Sequence, residues 1–506
     1  MAGSSFYYLA SNTLSLSGQG YLVDAVKWKN MNAVQDKNTY NASTGETDKH
    51  TLSFFGRFNY DYRKRYYLTF TARADGASNF AANNKWGFFP SGALRWNIHN
   101  EPFMKNIPAV DELSVKLSYG RSGNDAISVY RSLAALSSTT GGYLFDGRQP
   151  VAYYPSRIAS PDLRWEKTDL VNLAVTGAFL NNRINVTAEA YYAYTSDLLL
   201  YVQVAQQSGY SSRLANIGAT SNKGIELTLE TRNIVKRGFV WNTSFTLSHN
   251  TQRVEDIGGE NYIIAYAAPS TGYMMYGYVK GYPINSLWGF QAAGVWHNEE
   301  EIERNEHTHA VASRNGSTTL GFPVYVDRNH DGVLNSEDLT YLGNADPYVY
   351  GGLQNTFNIG KLKLGIYFAY SIGGKIFNYS ELFMAGSQRT NQYSYMVNAW
   401  HPVKNPDSDL PRAGIMDEDV HSTRQLHDAS YLRLKNVTLS YTWNIPRKWL
   451  KDITIGVTGE NLWLLKAYNG FDPDVSSSSD GSTLRRMDLG AYPKARTVIG
   501  FIQIRY

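Results

Sequence analysis

The feature that most constrains this chain is a two-residue alternation of apolar and polar side chains that keeps returning along its length. Leu52, Phe54, Phe58 and Tyr60 occupy even positions with Gly56 in step, while Ser53, Arg57, Asn59 and Asp61 fall between them; Phe55 is the exception. Tyr66, Leu68, Phe70 and Ala72 repeat the pattern against Tyr67, Thr69, Thr71 and Arg73. Successive side chains of a strand point to opposite faces, whereas a helix needs apolar spacings of three and four. Tyr62 to Arg65 join the two segments, which together read as a β-hairpin. The period recurs at Ile184, Val186, Ala188, Ala190 and Tyr192, at Ile225, Leu227 and Leu229, and at Phe239, Trp241, Phe245 and Leu247.

Comparable segments number roughly 14, with ends good to a few residues. They are predicted near 51–61, 65–76, 85–98, 111–123, 163–180, 182–199, 219–233, 237–251, 282–295, 347–359, 361–374, 428–445, 451–466 and 495–506. Short turns alternate with long connections at 125–160, 252–280, 296–346, 375–427 and 467–494. That asymmetry is typical of outer-membrane barrels, whose short turns are periplasmic and whose long loops are extracellular. The expected fold class is therefore all-β, an antiparallel transmembrane β-barrel segment. The competing architecture is a soluble all-β protein such as a propeller or tandem sandwiches; a propeller requires a fixed blade period, and none is found. The chain ends on alternation too, with Ile502, Ile504 and Tyr506 set against Phe501, Gln503 and Arg505.

Composition favours the membrane over water. Aromatic residues reach 14% and charged residues only 18%, against about 25% charged in ordinary soluble proteins. Mean hydropathy is nevertheless polar at −0.38, and no apolar run is long enough for a membrane helix. Strands that place alternate residues in lipid and in a polar lumen reconcile the two. The absence of Cys excludes disulfides and thiolate metal sites. A net charge of +4, from 48 basic and 44 acidic residues, gives no basic track for nucleic acid. The opening MAGSSFYYLA has no basic stretch followed by an apolar one, so it is not a secretory signal, and the chain is expected to be a fragment of a longer protein.

Ordered motifs carry a family resemblance. FFGRFNYDYRKRYYLTFTARADGASNF at 54–80, KWGFFPSGALRWNIHNEPF at 85–103 and LSVKLSYGRSGN at 113–124 come first. PDLRWEKTDLVNLAVTGAFLNNRINVTAEAYYAYTSDLLL at 161–200 and NIGATSNKGIELTLE at 216–230 follow. VDRNHDGVLNSEDLTYLGNADPYVYGGLQNTF at 326–357 and WHPVKNPDSDLPRAG at 400–414 precede DASYLRLKNVTLSYTWNIP at 428–446, VTGENLWLL at 457–465 and YNGFDPDV at 468–475. In sequence and order these resemble the SusC/RagA-type TonB-dependent transporters. Residues 1–50 carry no such motif.

That resemblance implies a barrel of about 22 strands with a plugged lumen, of which residues 1–506 form the C-terminal part without the plug domain. It further implies import of a bulky oligosaccharide or peptide across the outer membrane of a Gram-negative bacterium. The implied partners are a SusD-like surface lipoprotein and TonB, the latter acting through the missing plug. With some strands missing, two strand edges would be left unpaired in lipid, so the chain alone is not expected to close a stable barrel. Two other functions fit the alternation: a plug-free passive porin of about 14 strands, and a soluble calcium-stabilised glycan-binding protein.

The sharpest local motif is DRNHDGVLNSED at 327–338. It has calcium-loop spacing, with Asp327, Asn329 and Asp331 as side-chain ligands and Gly332 at the tight turn. Val333 would offer its carbonyl, Asn335 would act directly or through water, and Asp338 would take the twelfth position. Asp there is shorter than the usual Glu, and the competing reading is an Asx-rich turn with no metal. Glu303, His307 and His309 form a second possible metal set, for which a solvated charged loop is the ordinary explanation. Asp472 and Asp474 resemble a glycosidase pair in composition, yet two acids so close on a loop read as turn residues. Tyr262, Tyr266, Tyr273, Tyr276 and Tyr278 form either an aromatic surface for ligand or partner, or girdle packing or loop core. No nucleophile elbow, zinc-protease helix or phosphate loop is present, so no enzyme is expected.

Overall fold

The computed structural model describes residues 1–21, 29–140, 144, 146–148, 150–268, 272–304, 320–385, 391–414, 420–447, 449–475 and 485–506. Fourteen strands form one large antiparallel sheet in chain order. They are Ala2–Ser17, Asn41–Tyr62, Tyr66–Ala77, Trp86–Asn97, Val110–Asn124, Glu166–Phe179, Ile184–Ser196, Ala219–Lys236, Phe239–Asp256, Val349–Ile359, Leu362–Ile372, Tyr431–Arg447, Leu450–Lys466 and Thr497–Arg505. The expected hairpin is present, and Phe58 faces Phe70 while Tyr60 faces Leu68. Its turn has φ of 54° at both Arg63 and Lys64, the left-handed pair that matches the twist of the flanking strands.

The strand number meets the expectation, but two members differ. Ala2–Ser17 lies within the motif-free first 50 residues and pairs along its whole length with 41–56. The strand predicted at 282–295 is absent from the large sheet. That segment instead forms Ser286–Gly289 and Ala292–Val295, which belong to two separate small sheets. Its sequence, SLWGFQAAGV, is apolar on both faces, and Ser286, Leu287, Gly289 and Phe290 are all buried. Burial on both faces suits a packed loop domain and not a wall with one polar face.

The chain divides into two compact units. The first comprises Met1–Arg95, Ser118–Val171 and Tyr194–Ala219. Its small core joins Ala77, Phe80, Phe89, Leu163, Trp165 and Leu214, with the Phe80 and Trp165 rings 4.8 Å apart. The Trp165 indole N–H donates to the Lys85 carbonyl at 2.8 Å, which satisfies its polar edge.

The second unit comprises Trp96–Leu117, Asn172–Ala193 and Thr220–Tyr506. Within it, register aligns whole rows of side chains, because directly opposed residues share a face. Trp241, Phe357, Leu364, Leu439 and Val457 form one row across five strands. Phe239, Ile359, Leu362, Tyr441, Ile455 and Ile502 form the next. Leu439, Ile455 and Ile502 are exposed. On the opposite face Asn242, Thr356, Gly365, Thr438 and Thr458 align, and the Thr438 and Thr458 hydroxyls bond at 2.9 Å. One face is thus apolar and bare, the other polar and cross-linked.

Aromatic residues bracket the apolar face. Trp443 and Tyr441 lie toward one end of their strand, and Leu434, opposite Trp463, lies toward the other. The intervening segment, 434–443, matches the roughly 9–11 residues a tilted strand needs to cross a bilayer.

Candidate functional site

The long connections of the second unit fold into a packed assembly at one end of its strands. Tyr262–Ala267, Met274–Val279, Ser286–Gly289 and Thr340–Asn344 make a four-stranded sheet, and Lys375–Asn378 joins Leu426–Asp428 and Met487–Asp488 in a three-stranded one. Their shared core holds Met275, Tyr276, Leu287, Phe377, Leu382 and Met487. Gly289 is required there, since a Cβ at that position would lie 2.8 Å from the His421 carbonyl oxygen.

Buried polar pairs tie distant loop segments together. Arg433 Nη2 donates to Asp472 Oδ1 at 2.5 Å. Tyr468 donates to Asp488 at 2.7 Å, and burial together with that carboxylate pushes its phenol well above the ordinary range. His427 Nε2 donates to Glu381 Oε2 at 2.8 Å. His421 is fully buried, with Nε2 donating to the Met274 carbonyl at 3.0 Å; burial pushes its pKa down to about 4. Each is a charged or polar group made tolerable by a specific partner.

Two hollows are suited to passing or bound ligands. A cavity of about 230 Å³ is lined by Tyr325, Glu381, Leu382, Tyr395, Asp409 and Arg424. A polar hollow of about 320 Å³ lies along the polar face, where Asn185, Glu230, Arg232, Asn242, Gln354 and Thr356 meet. Neither set was singled out in the sequence, because its members come from segments far apart in the chain.

The expected calcium loop adopts its predicted turn, with Gly332 at φ 78°. Asp327 accepts the N–H groups of His330 and Gly332, both at 2.7 Å. Asp338 accepts those of Arg328 and Asn335, both at 2.9 Å. Val333 donates its N–H to Asp331 at 2.8 Å, and that bond, with the Asn329 and Asn335 amides, holds the Asp331 carboxyl below its ordinary pKa. The Asn329 amide bridges Asp331 at 2.9 Å and Glu337 at 2.8 Å. Among the described residues no three His, Cys, Asp or Glu side chains converge as a metal site. The loop's oxygens suit a hard cation in kind, while its own N–H groups already occupy much of their capacity.

His307 and His309 of the second possible metal set lie outside the described residues. Asp472 and Asp474 are structural: Asp472 takes the Asp474 N–H at 2.9 Å, and Asp474 pairs with Lys494. The tyrosine cluster does not form one surface. Tyr276 is core, whereas Tyr262 and Tyr273 line a hollow of about 170 Å³ with Trp288 and Ser336.

A bare apolar face, a polar face and aromatic brackets define a wall strand set of an outer-membrane β-barrel, the class in which strands alternate between lipid and lumen. The family model described as TonB dependent receptor-like, beta-barrel matches residues 3–462, and the chain belongs to that family of outer-membrane proteins. It is 31% identical to TonB-dependent receptor P3 of Formosa agariphila over 98% of this chain and 49% of that one. It is 27% identical to TonB-dependent receptor SusC of Bacteroides thetaiotaomicron over 92% of this chain and 44% of that one. The RagAB peptide transporter structure shares the fold, with a TM-score of 0.81 at 24% identity, covering 99% of this chain and 52% of that chain. The chain therefore spans about half the length of the curated relatives it matches. It is a β-barrel chain of the TonB-dependent receptor kind.

Proposed function

We propose that the protein containing this chain imports a bulky nutrient, an oligosaccharide or a peptide, through a lumen walled by the polar face. The observation that carries this reading is the register: five strands bring Asn242, Thr356, Thr438 and Thr458 onto one hydrophilic surface opposite a lipid-compatible one. TonB supplies the energy through a plug, and a surface lipoprotein of the SusD kind covers the loop assembly. Further strands of the same protein complete the wall. The family match supports the coupling to TonB, and the relatives' greater length supports the further strands. The test is uptake of labelled peptides and oligosaccharides by cells making the whole protein, with and without an uncoupler. Uptake that stops with the uncoupler supports driven import. Uptake indifferent to it means a passive porin.

Calcium at 327–338 is proposed as a structural ion, not a catalytic one. It would enter between Asp331 and Glu337, where the Asn329 amide now bridges the two carboxylates. Calorimetry on the whole protein should show Ca²⁺ heat that Asp331→Ala removes; no heat in the unsubstituted protein ends the proposal.

A further inference from the structure

At the loop end of three neighbouring wall strands, side chains on the lumen face are covered, where an open lumen would leave them bare. Register sets the face. Thr438 opposes both Gly365 and Thr458 on the polar face, and alternation carries that face from Gly365 to Ala369 and Ser371. One extra residue, Lys435, shifts the register of the neighbouring strand. Beyond it Arg433 opposes Ala369 and Tyr431 opposes Ser371, so Arg433 and Tyr431 face the lumen as well. Lys466 opposes Tyr431 and shares that face. Yet Arg433 and Ser371 are each only 4% exposed, while Thr438 and Thr458 on the same face stay partly open.

The cover is chain that follows the strand Leu450–Lys466 and lies on the lumen side in two arms, 468–475 and 485–488. In the first arm, Asp472 accepts from Arg433 at 2.5 Å, and the Lys466 ammonium donates to the Gly470 carbonyl. In the second, Arg486 Nη2 donates to Ser371 Oγ at 2.8 Å and Nη1 to the Gly373 carbonyl at 3.0 Å. The Tyr468 hydroxyl joins the arms by donating to Asp488 at 2.7 Å. The Phe377 N–H donates to the Arg486 carbonyl at 2.9 Å and fixes the second arm to the loop sheet. The arms are thus pinned to Leu362–Ile372, Tyr431–Arg447 and Leu450–Lys466, one anchor in each strand. Each of these anchors uses an ionised donor, the stronger kind of hydrogen bond.

The free side of the first arm is equally defined. Tyr468, Asp472 and Pro473 are buried, but Phe471 among them is 74% exposed. Its ring therefore faces away from the wall to which its neighbours are pinned. A layer of chain packed on a sheet stands roughly 10 Å off it, about the cross-section of an extended peptide.

We propose that the two arms are a fixed constriction on the lumen side of the wall that sets the largest nutrient admitted, with Phe471 at its free edge. This rests on import through the lumen. Size selection is then built into the wall strands and their own loop.

The test uses cells making the whole protein with Thr458→Cys, a lumen position beyond the arms. Maleimide-polyethylene glycols of graded size are added outside, and the protein without the introduced Cys is the blank. Labelling needs no driven uptake, so its outcome stands apart from that of the uncoupler experiment. Arg433→Leu and Arg486→Ala each release one arm. Polymers at the parent's size limit should then react several-fold faster, and larger ones should begin to react. Phe471→Gly breaks no anchor and should also speed reaction at the limit; it decides alone if the anchor variants fail to assemble. An unchanged size limit in the assembled variants overturns the proposal.

Discussion

Arg433 and Asp472, 39 residues apart, meet at 2.5 Å with only 4% and 2% of their side chains exposed. Arg433 sits near the start of a wall strand, and Asp472 sits in the loop that follows the next one. Burial alone would raise the Asp472 carboxyl; hydrogen bonds from Arg433 and the Asp474 N–H outweigh it and hold the group below its ordinary pKa. Removing one partner strands a buried charge, which costs about 3–5 kcal/mol. Arg433→Leu should therefore expose the 467–475 loop to protease, and Arg433→Leu with Asp472→Leu should recover much of the loss. Limited proteolysis of the two variants checks this.

His421 should make the loop assembly sensitive to acid. Its folded pKa of about 4 lies below the ordinary 6.5. The neutral form is favoured in the fold, so its stabilising contribution is complete above about 6.5 and is lost as pH falls toward 4. Hydrogen exchange at Met274 to Tyr276 should rise across that window. In His421→Gln, which keeps an N–H donor without titrating, the rise should be missing.

Gly351 should tolerate no side chain. A Cβ there would stand 2.0 Å from the Thr246 carbonyl oxygen, beneath the Tyr370 hydroxyl. Gly351→Ala should destabilise the folded barrel by at least about 1–3 kcal/mol through overpacking. Gly365→Ala, where a Cβ meets nothing within 4 Å, should be near neutral. Urea midpoints of the two variants give the comparison.

Charge should be costly on one face only. Leu439→Arg would place a guanidinium in lipid, at about 2–4 kcal/mol near the bilayer midplane. Thr458→Arg, on the lumen face, should leave assembly largely intact. The folded fraction in isolated outer membranes is the readout.

Much of the wall was legible because strand period is a local property. The hairpin 51–61 and 65–76 needed only alternation and a four-residue turn. Ala2–Ser17 escaped because Phe6, Tyr7, Tyr8 and Leu9 are consecutive, which blurs the period even though Phe6 opposes Leu52 as a wall residue should. The segment 282–295 misled for the converse reason, since a doubly buried loop strand is apolar enough to pass for wall. Loop chemistry was scarcely legible. Glu381 finds His427 across 46 residues, and Tyr276 reaches the Arg485 carbonyl across 209. No spacing rule links such partners; only the folded loops bring them together.

The central claim is that one face of these strands lies in lipid and the other in a polar lumen. These 506 residues have no Cys, so none of them competes with a Cys introduced for labelling. Spin labels placed one at a time from 437 to 443 of the whole protein, in outer membranes, measure it directly. Relaxation by oxygen should peak at 437, 439, 441 and 443, and relaxation by a water-soluble nickel complex at 438, 440 and 442. Uniform accessibility, or a period near 3.6, would contradict it.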